Sequence, residues 1–256
     1  MRVKSRRGHG RRKSGAPLPH MDHVAISTRG LLVQQARGDR SSDALVRSLV
    51  RSAQGLQTRP GVQLACLTVH LAAASLGSID SLTTAAMYIR DGIEDHDGTV
   101  LLEAQPSVAH QMFAHAARRG CVSAMASMAF GLHAGIGCSR DRPGALRLWR
   151  RAAKGGSVVA ATNAGLEYLE EGKWSLAKRY FAMALEMGDP EAAVGYARSC
   201  IGSRRNRAGL LEAEGVLRGA LRKSKKSWSP AGREEGEALL DDIREQLRSA
   251  PAGRPR

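Results

Sequence analysis

The stretch AAKGGSVVA at 152–160 has two close copies in the chain, ALEMGDPEA at 184–192 and AARRGCVSA at 116–124. Each copy begins with two small or apolar residues, has a glycine at its fifth position and ends on an alanine. The three glycines are Gly120, Gly156 and Gly188, so the copies are separated by 36 and 32 residues. This recurrence indicates that one structural unit is used several times.

The segment before each glycine also repeats. Residues 109–117 read AHQMFAHAA, 145–153 read ALRLWRRAA and 177–185 read AKRYFAMAL. In each, alanines at the first and eighth positions flank two bulky residues, which places one narrow stripe on a helix. In the middle copy, Ala145 and Ala152 let a neighbouring helix approach closely, and Trp149 fills the remaining space.

A second type of helix follows each glycine, beginning at Ala124 and at Ala160 in the two clearest copies. Two alternating helix types with a period of 32–36 residues are typical of a helical solenoid. The sequence therefore predicts an all-α, right-handed α-solenoid of about four to five stacked antiparallel helical hairpins. It also predicts a buried helix over 61–77 and a loop with a short apolar segment over 94–107.

Residues 124–159 contain a set of small, aromatic and turn residues at characteristic spacings: Ala124, Met128, Ala129, the turn at 135–138, Asp141, Ala145, Leu146, Trp149, Ala152, Ala153 and Gly156. With these features the segment resembles a Sel1-like repeat, a branch of the tetratricopeptide superfamily, and residues 160–191 resemble a shortened copy. The resemblance implies a scaffold or adaptor that binds other proteins. That family has no common catalytic residues, so none is carried over.

Composition divides the chain into three parts. Residues 1–40 are predicted to be a disordered basic tail or a targeting segment, because Gly, Pro and Ser interrupt them and they offer little for a core. Residues 41–249 are predicted to form the helical-repeat domain, with its clearest repeats at 106–200 and a capping helix at 230–249. Residues 250–256 are predicted to be a disordered tail.

The formal net charge of +15 is concentrated at the ends of the chain. Residues 1–40 contain ten Lys or Arg against two acids, and 201–256 contain thirteen against eight, whereas 41–200 are almost neutral. No apolar run is long enough to cross a membrane, and no apolar segment follows the charged N-terminus. We expect an intracellular protein, either cytoplasmic or imported into mitochondria by residues 1–40.

No catalytic or metal-binding motif is found in the sequence. The four cysteines form no C-x-x-C pair. His110 and His115 are five residues apart, which does not put them on one helix face, and His20 and His23 lie in the segment predicted to be disordered. We therefore expect no catalytic residue, no metal and no cofactor, and reduced cysteines. The predicted function is non-catalytic protein recognition within a larger complex. The partner itself and the oligomeric state are not indicated.

Polar residues on the first helix of the second repeat are candidates for partner contact. Asn163, Glu167 and Glu170 lie on this helix, and in tetratricopeptide-like stacks the first helix lines the concave surface. These side chains either contact a protein partner or are simply solvated.

Two basic runs, SRRNR at 203–207 and RKSKK at 222–226, favour a second hypothesis. Such clusters either contact the phosphates of nucleic acid or are solvated near helix C-termini. In the first case the chain would be an RNA-associated subunit of an organellar ribonucleoprotein. The candidate residues are Arg204, Arg205, Arg207, Lys223, Lys225 and Lys226.

Overall fold

The computed structural model describes residue 47 and residues 63–94, 97–204, 206–223 and 228–249. The chain divides into two compact units, residues 1–77 and residues 78–256. In the first unit, helix α1 spans Gln63–Ser75 and buries Cys66, Leu67 and His70. The helix predicted over 61–77 is thus present, although its Leu71 is exposed.

The second unit is a succession of helices joined by short connections, and each helix packs against the next along the chain. The prediction of an all-α solenoid of stacked helical hairpins is confirmed. The hairpins are α2–α3, α4–α5, α6–α7 and α8–α9, and α10 follows them. The helices are α2 Ile79–Asp91, α3 Pro106–Arg118, α4 Val122–Ala134, α5 Arg142–Lys154, α6 Val158–Glu170, α7 Trp174–Glu186, α8 Ala192–Ser203, α9 Arg207–Lys223 and α10 Pro230–Ser249.

The connection between α2 and α3 differs from the loop predicted over 94–107. Strand β1, Ile93–Glu94, pairs antiparallel with strand β2, Val100–Leu102. Ile93 is buried, which gives the short pair an anchor in the core. Strands of two and three residues are too short to show an alternating pattern, so the sequence offered no signal for them.

The repeated glycines form the turn between one hairpin and the next. Gly120, Gly156 and Gly188 have φ of +90°, +92° and +95°, in the left-handed region that glycine adopts without strain. At all three turns the backbone amide of the residue after the glycine donates a hydrogen bond to an alanine carbonyl. This alanine lies four residues before the glycine. For Gly156 this bond joins Ser157 N to Ala152 O at 3.0 Å. The recurring motif is thus a helix C-cap of the Schellman type.

Side-chain caps fix where the next helices begin. The Ser157 hydroxyl accepts from the Ala160 amide at 3.2 Å at the start of α6. The Asp141 carboxylate accepts from the Gly144 amide at 2.9 Å at the start of α5. Each bond satisfies a backbone donor that has no partner within its helix.

The predicted stripes form the core between hairpins. The terminal alanines of all three stripes are fully buried, as are the aromatic rings of Phe113, Trp149 and Phe181. Phe181 is accommodated because its neighbours lack side chains: a Cβ on Gly165 would lie 2.9 Å from the ring, and one on Gly195 would lie 2.3 Å from it. Glycine on α6 and α8 therefore sets the depth to which α7 packs.

The end of the unit has a second core cluster, formed by α8, α9 and α10. The helix predicted at 230–249 is α10, and its Leu240 and Ile243 are buried. The Ser229 hydroxyl accepts from the Gly232 amide at 3.0 Å and so caps the start of this helix. All four cysteines lie within the described residues and form no disulfide; Cys66 and Cys200 are buried, and Cys121 and Cys138 are half-buried.

Candidate partner-binding surface

Glu167 lies in the interior rather than in solvent. Its side chain is only 6% exposed, and its carboxylate accepts from Arg142 Nε at 2.8 Å and from Arg142 Nη2 at 3.1 Å. His133 Nε2 is 3.2 Å from the same carboxylate. From the sequence, Glu167 was predicted either to contact a partner or to be solvated. In the structure it is buried and forms an ion pair within the chain.

Arg142 is held by two carboxylates at once, because its Nη2 also donates to the exposed Glu170. The hydrogen bonds that Arg142 donates to Glu167 and, to a lesser extent, to Glu170 raise the pKa of its guanidinium above its ordinary range. Arg142 is on α5, the second helix of one repeat, whereas both glutamates are on α6, the first helix of the next. The cluster therefore fixes the relative position of two repeats.

Exposed apolar side chains recur on the first helices of the hairpins. Met87 on α2, Phe130 on α4 and Leu166 on α6 are 36%, 45% and 42% exposed. Each lies nine residues after the N-cap of its helix, which is Ser78, Cys121 or Ser157. We call these three residues the apolar row. Because the hairpins stack in order, equivalent positions on successive first helices follow one another along the stack.

The other two candidate residues flank this row. Asn163, half-buried, precedes Leu166 by three residues, and the exposed Glu170 follows it by four. Residues three and four apart share one face of a helix, so Asn163, Leu166 and Glu170 lie together on the surface of α6. The structure thus keeps Asn163 and Glu170 on this surface and removes Glu167 from it.

Comparison with known proteins was made at the level of sequence and of structure. No protein-family model matches the sequence, and no curated protein matches it. The solved Sel1 repeat protein from Oxalobacter formigenes has a TM-score of 0.57 to this chain at 16% identity, over 78% of this chain and 74% of that one. The chain has the fold of a Sel1 repeat protein.

Two further solved structures are similar with lower scores. A protective antigen of uropathogenic Escherichia coli that displays an SLR fold has a TM-score of 0.48 at 14% identity, over 71% of this chain and 41% of that one. An immunity protein from Pseudomonas aeruginosa has a TM-score of 0.45 at 18% identity, over 82% of each chain.

The basic residues proposed for nucleic acid are only partly described. Arg204 and Arg207 are exposed and line a recess of about 510 Å³ beside Gln246 at the end of the Sel1-like stack. Arg207 Nη1 donates to the Leu247 carbonyl at 2.8 Å, so this arginine joins α9 to α10. Lys223 ends α9. Arg205, Lys225 and Lys226 lie outside the described residues.

The described residues were also searched for metal sites and for membrane-spanning helices. Within them, no group of three or more His, Cys, Asp or Glu side chains has the geometry of a metal site. None of the described helices combines the length and apolarity needed to cross a membrane. Sequence reasoning missed all three members of the apolar row, of which Phe130 and Leu166 carry a signal in the sequence. The signal that identifies them is their spacing of 36 residues, the period of the repeat itself.

Proposed function

We propose that the repeat domain is a non-catalytic adaptor that binds a protein partner along its first helices. The observation that carries this proposal is the apolar row of Met87, Phe130 and Leu166. Single exposed apolar residues are common on protein surfaces, but these three share one register on three successive helices. Complete burial of such a side chain contributes about 1.5–3 kcal/mol, so a partner that covers the row gains appreciable binding energy.

The charges beside the row are largely paired within the chain. Asp91 and Glu170 each follow a member of the row by four residues, and Arg90 pairs with Asp91 whereas Arg142 pairs with Glu170. A complementary partner therefore presents apolar side chains to the row, on a helix or an extended segment. Because the hairpins are already ordered, binding requires little further ordering of this chain.

The experiment compares two double variants of the full chain. Phe130→Ser with Leu166→Ser removes two members of the row, whereas Leu176→Ser with Leu211→Ser removes two exposed leucines from α7 and α9. A photo-crosslinking amino acid at position 87 identifies the bound partner, and its binding is then measured with each variant. We expect the first pair to lose binding by at least about tenfold, since two apolar contacts are lost, and the second pair to retain it. Equal binding by both pairs would contradict the proposal.

A further inference from the structure

A basic surface lies on the second helices of the repeats, whereas the apolar row lies on the first helices. Its six members are exposed cations on α3, α5 and α7. Helix α5 has five cations and no acid in 13 residues, which makes it the centre of this surface. The members of the basic surface are Arg118, Arg147, Arg150, Arg151, Lys154 and Arg179.

The repeat register aligns these cations between helices. Four of these cations lie on one face of α5, because they follow one another at helical spacing. Arg150, Arg151 and Lys154 come three, four and seven residues after Arg147. Arg118 and Lys154 occupy equivalent positions in two repeats, 36 residues apart. Arg147 and Arg179 are likewise equivalent, 32 residues apart. Cations at the same register on stacked hairpins form one surface rather than scattered charges.

Carboxylates of the chain leave this surface largely unneutralised. Among the described residues, Asp141 is the one carboxylate within 4 Å of any of the six, at 3.8 Å from Arg147 Nη2. Helix polarity accounts for Arg151 and Lys154, since cations are favoured in a last turn. Arg147 and Arg150 lie in the middle of α5, where like charges close together on one face are unfavourable. Hydrogen bonding with Tyr180 raises the pKa of the Arg150 guanidinium, so this cation also contacts α7.

A recess beside Arg147 and Arg150 adds an apolar contact area. It has a volume of about 520 Å³, and Pro143 and Leu146 line it together with these arginines. The rest of its lining is Arg142 and three carboxylate residues of α6 and its C-terminal turn, Glu167, Glu170 and Glu171. A space of this size accommodates a short stretch of side chains, and its mixed lining suits a chain that carries both acidic and apolar groups.

We propose that the basic surface binds an acidic segment of a partner polypeptide. Nucleic acid is less well matched, because the aromatic rings of α3, α5 and α7 that lie in the hairpin seams (Phe113, Trp149, Tyr180 and Phe181) are buried and offer no stacking platform. Asp141 and Glu171 also lie beside Arg147, where they would repel a continuous phosphate backbone. A short acidic segment requires only the central cations.

The experiment measures binding of a labelled glutamate-rich peptide to the full chain and to two charge-reversal variants. Arg147→Glu with Arg151→Glu changes the basic surface, whereas Arg222→Glu with Arg248→Glu makes the same change in net charge on α9 and α10. Both control arginines are exposed. We expect the first pair to weaken peptide binding by at least about tenfold, because close charge pairs are lost, and the control pair by about twofold or less.

Two outcomes would overturn the proposal. Equal weakening by both pairs would mean that the peptide responds only to net charge. Tighter binding of a labelled oligouridylate of equal charge, weakened specifically by the first pair, would identify a nucleic-acid surface instead. If the reversal pair loses helicity by circular dichroism, the neutral pair Arg147→Gln with Arg151→Gln is measured in its place, with a smaller expected weakening of at least about threefold.

Discussion

Arg142 at the start of α5 and Glu167 on α6 form an ion pair across two successive repeats, with Arg142 Nε 2.8 Å from Glu167 Oε1. The glutamate side chain is almost fully buried, whereas the arginine side chain is 39% exposed. Because the glutamate is buried and the arginine is partly exposed, removing the arginine is expected to cost more stability than removing the glutamate. A buried carboxylate that loses its cation is left with an uncompensated charge.

The first prediction concerns this pair. Arg142→Gln is expected to lower the midpoint of urea unfolding, because Glu167 then stays buried without its bidentate partner. Arg147→Gln on the same helix serves as the control. Its side chain is 71% exposed, so its effect is expected to stay within about 0.5 kcal/mol.

A double variant separates charge from packing. In the Arg142→Gln background, Glu167→Gln removes the buried charge while keeping the size of the side chain, so part of the lost stability is expected to return. Equal midpoints for Arg142→Gln and Arg147→Gln would show that the ion pair does not stabilise the stack.

The second prediction tests the space around Phe181. Gly195→Ala places a methyl group where a Cβ would lie 2.3 Å from the ring. We expect a loss of about 1–3 kcal/mol in the free energy of unfolding, since an extra methyl in a filled core forces neighbours to move. The measurement is urea unfolding followed by circular dichroism.

The control for this substitution is Gly215→Ala in α9. No atom lies within 4 Å of its Cβ position, so only the helical preference for alanine acts there. A gain of up to about 1 kcal/mol is expected. If both variants lose a similar free energy of unfolding, the close contact with Phe181 is not the reason that position 195 requires glycine.

The stripes of the core were predictable from sequence because they depend on local spacing. Ala145, Trp149 and Ala152 lie within eight residues, and any helix over them places these side chains on one face. The glycine turns were predictable for the same reason, since a left-handed C-cap is a property of a few consecutive residues. Both features are present in the structure at the predicted positions.

Contacts between hairpins were not predictable in this way. Glu167 meets Arg142 from 25 residues away, and no pattern near Glu167 distinguishes a buried glutamate from a solvated one. Phe130 looks like a core residue by type, yet it is exposed, whereas the buried residues of α4 are Ala124, Met125, Ala129 and Gly131. Comparing each repeat with the next, rather than each helix with itself, brings Phe130 and Leu166 into register.

The third prediction concerns Cys200, whose thiol is buried in the second core cluster. Burial raises the pKa of the Cys200 thiol to about 11, and the neighbouring Glu212 carboxylate also raises it. At pH 8 only about one thiol in a thousand is then ionised, and the thiolate is the reactive form. Iodoacetamide is therefore expected to modify Cys200 in the native chain at least about 100-fold more slowly than in the urea-unfolded chain.

The dependence on pH gives the decisive measurement for this thiol. Between pH 8 and pH 10 the labelling rate of native Cys200 is expected to rise about tenfold per pH unit, because the whole range lies below its pKa. Over the same range an unfolded thiol becomes fully ionised, so the native state loses stability relative to the unfolded chain. Mass spectrometry of the labelled peptides reports each cysteine separately, with the half-buried Cys121 as the internal reference. Labelling of Cys200 as fast as Cys121 at pH 8 would show that α8, α9 and α10 do not enclose the thiol.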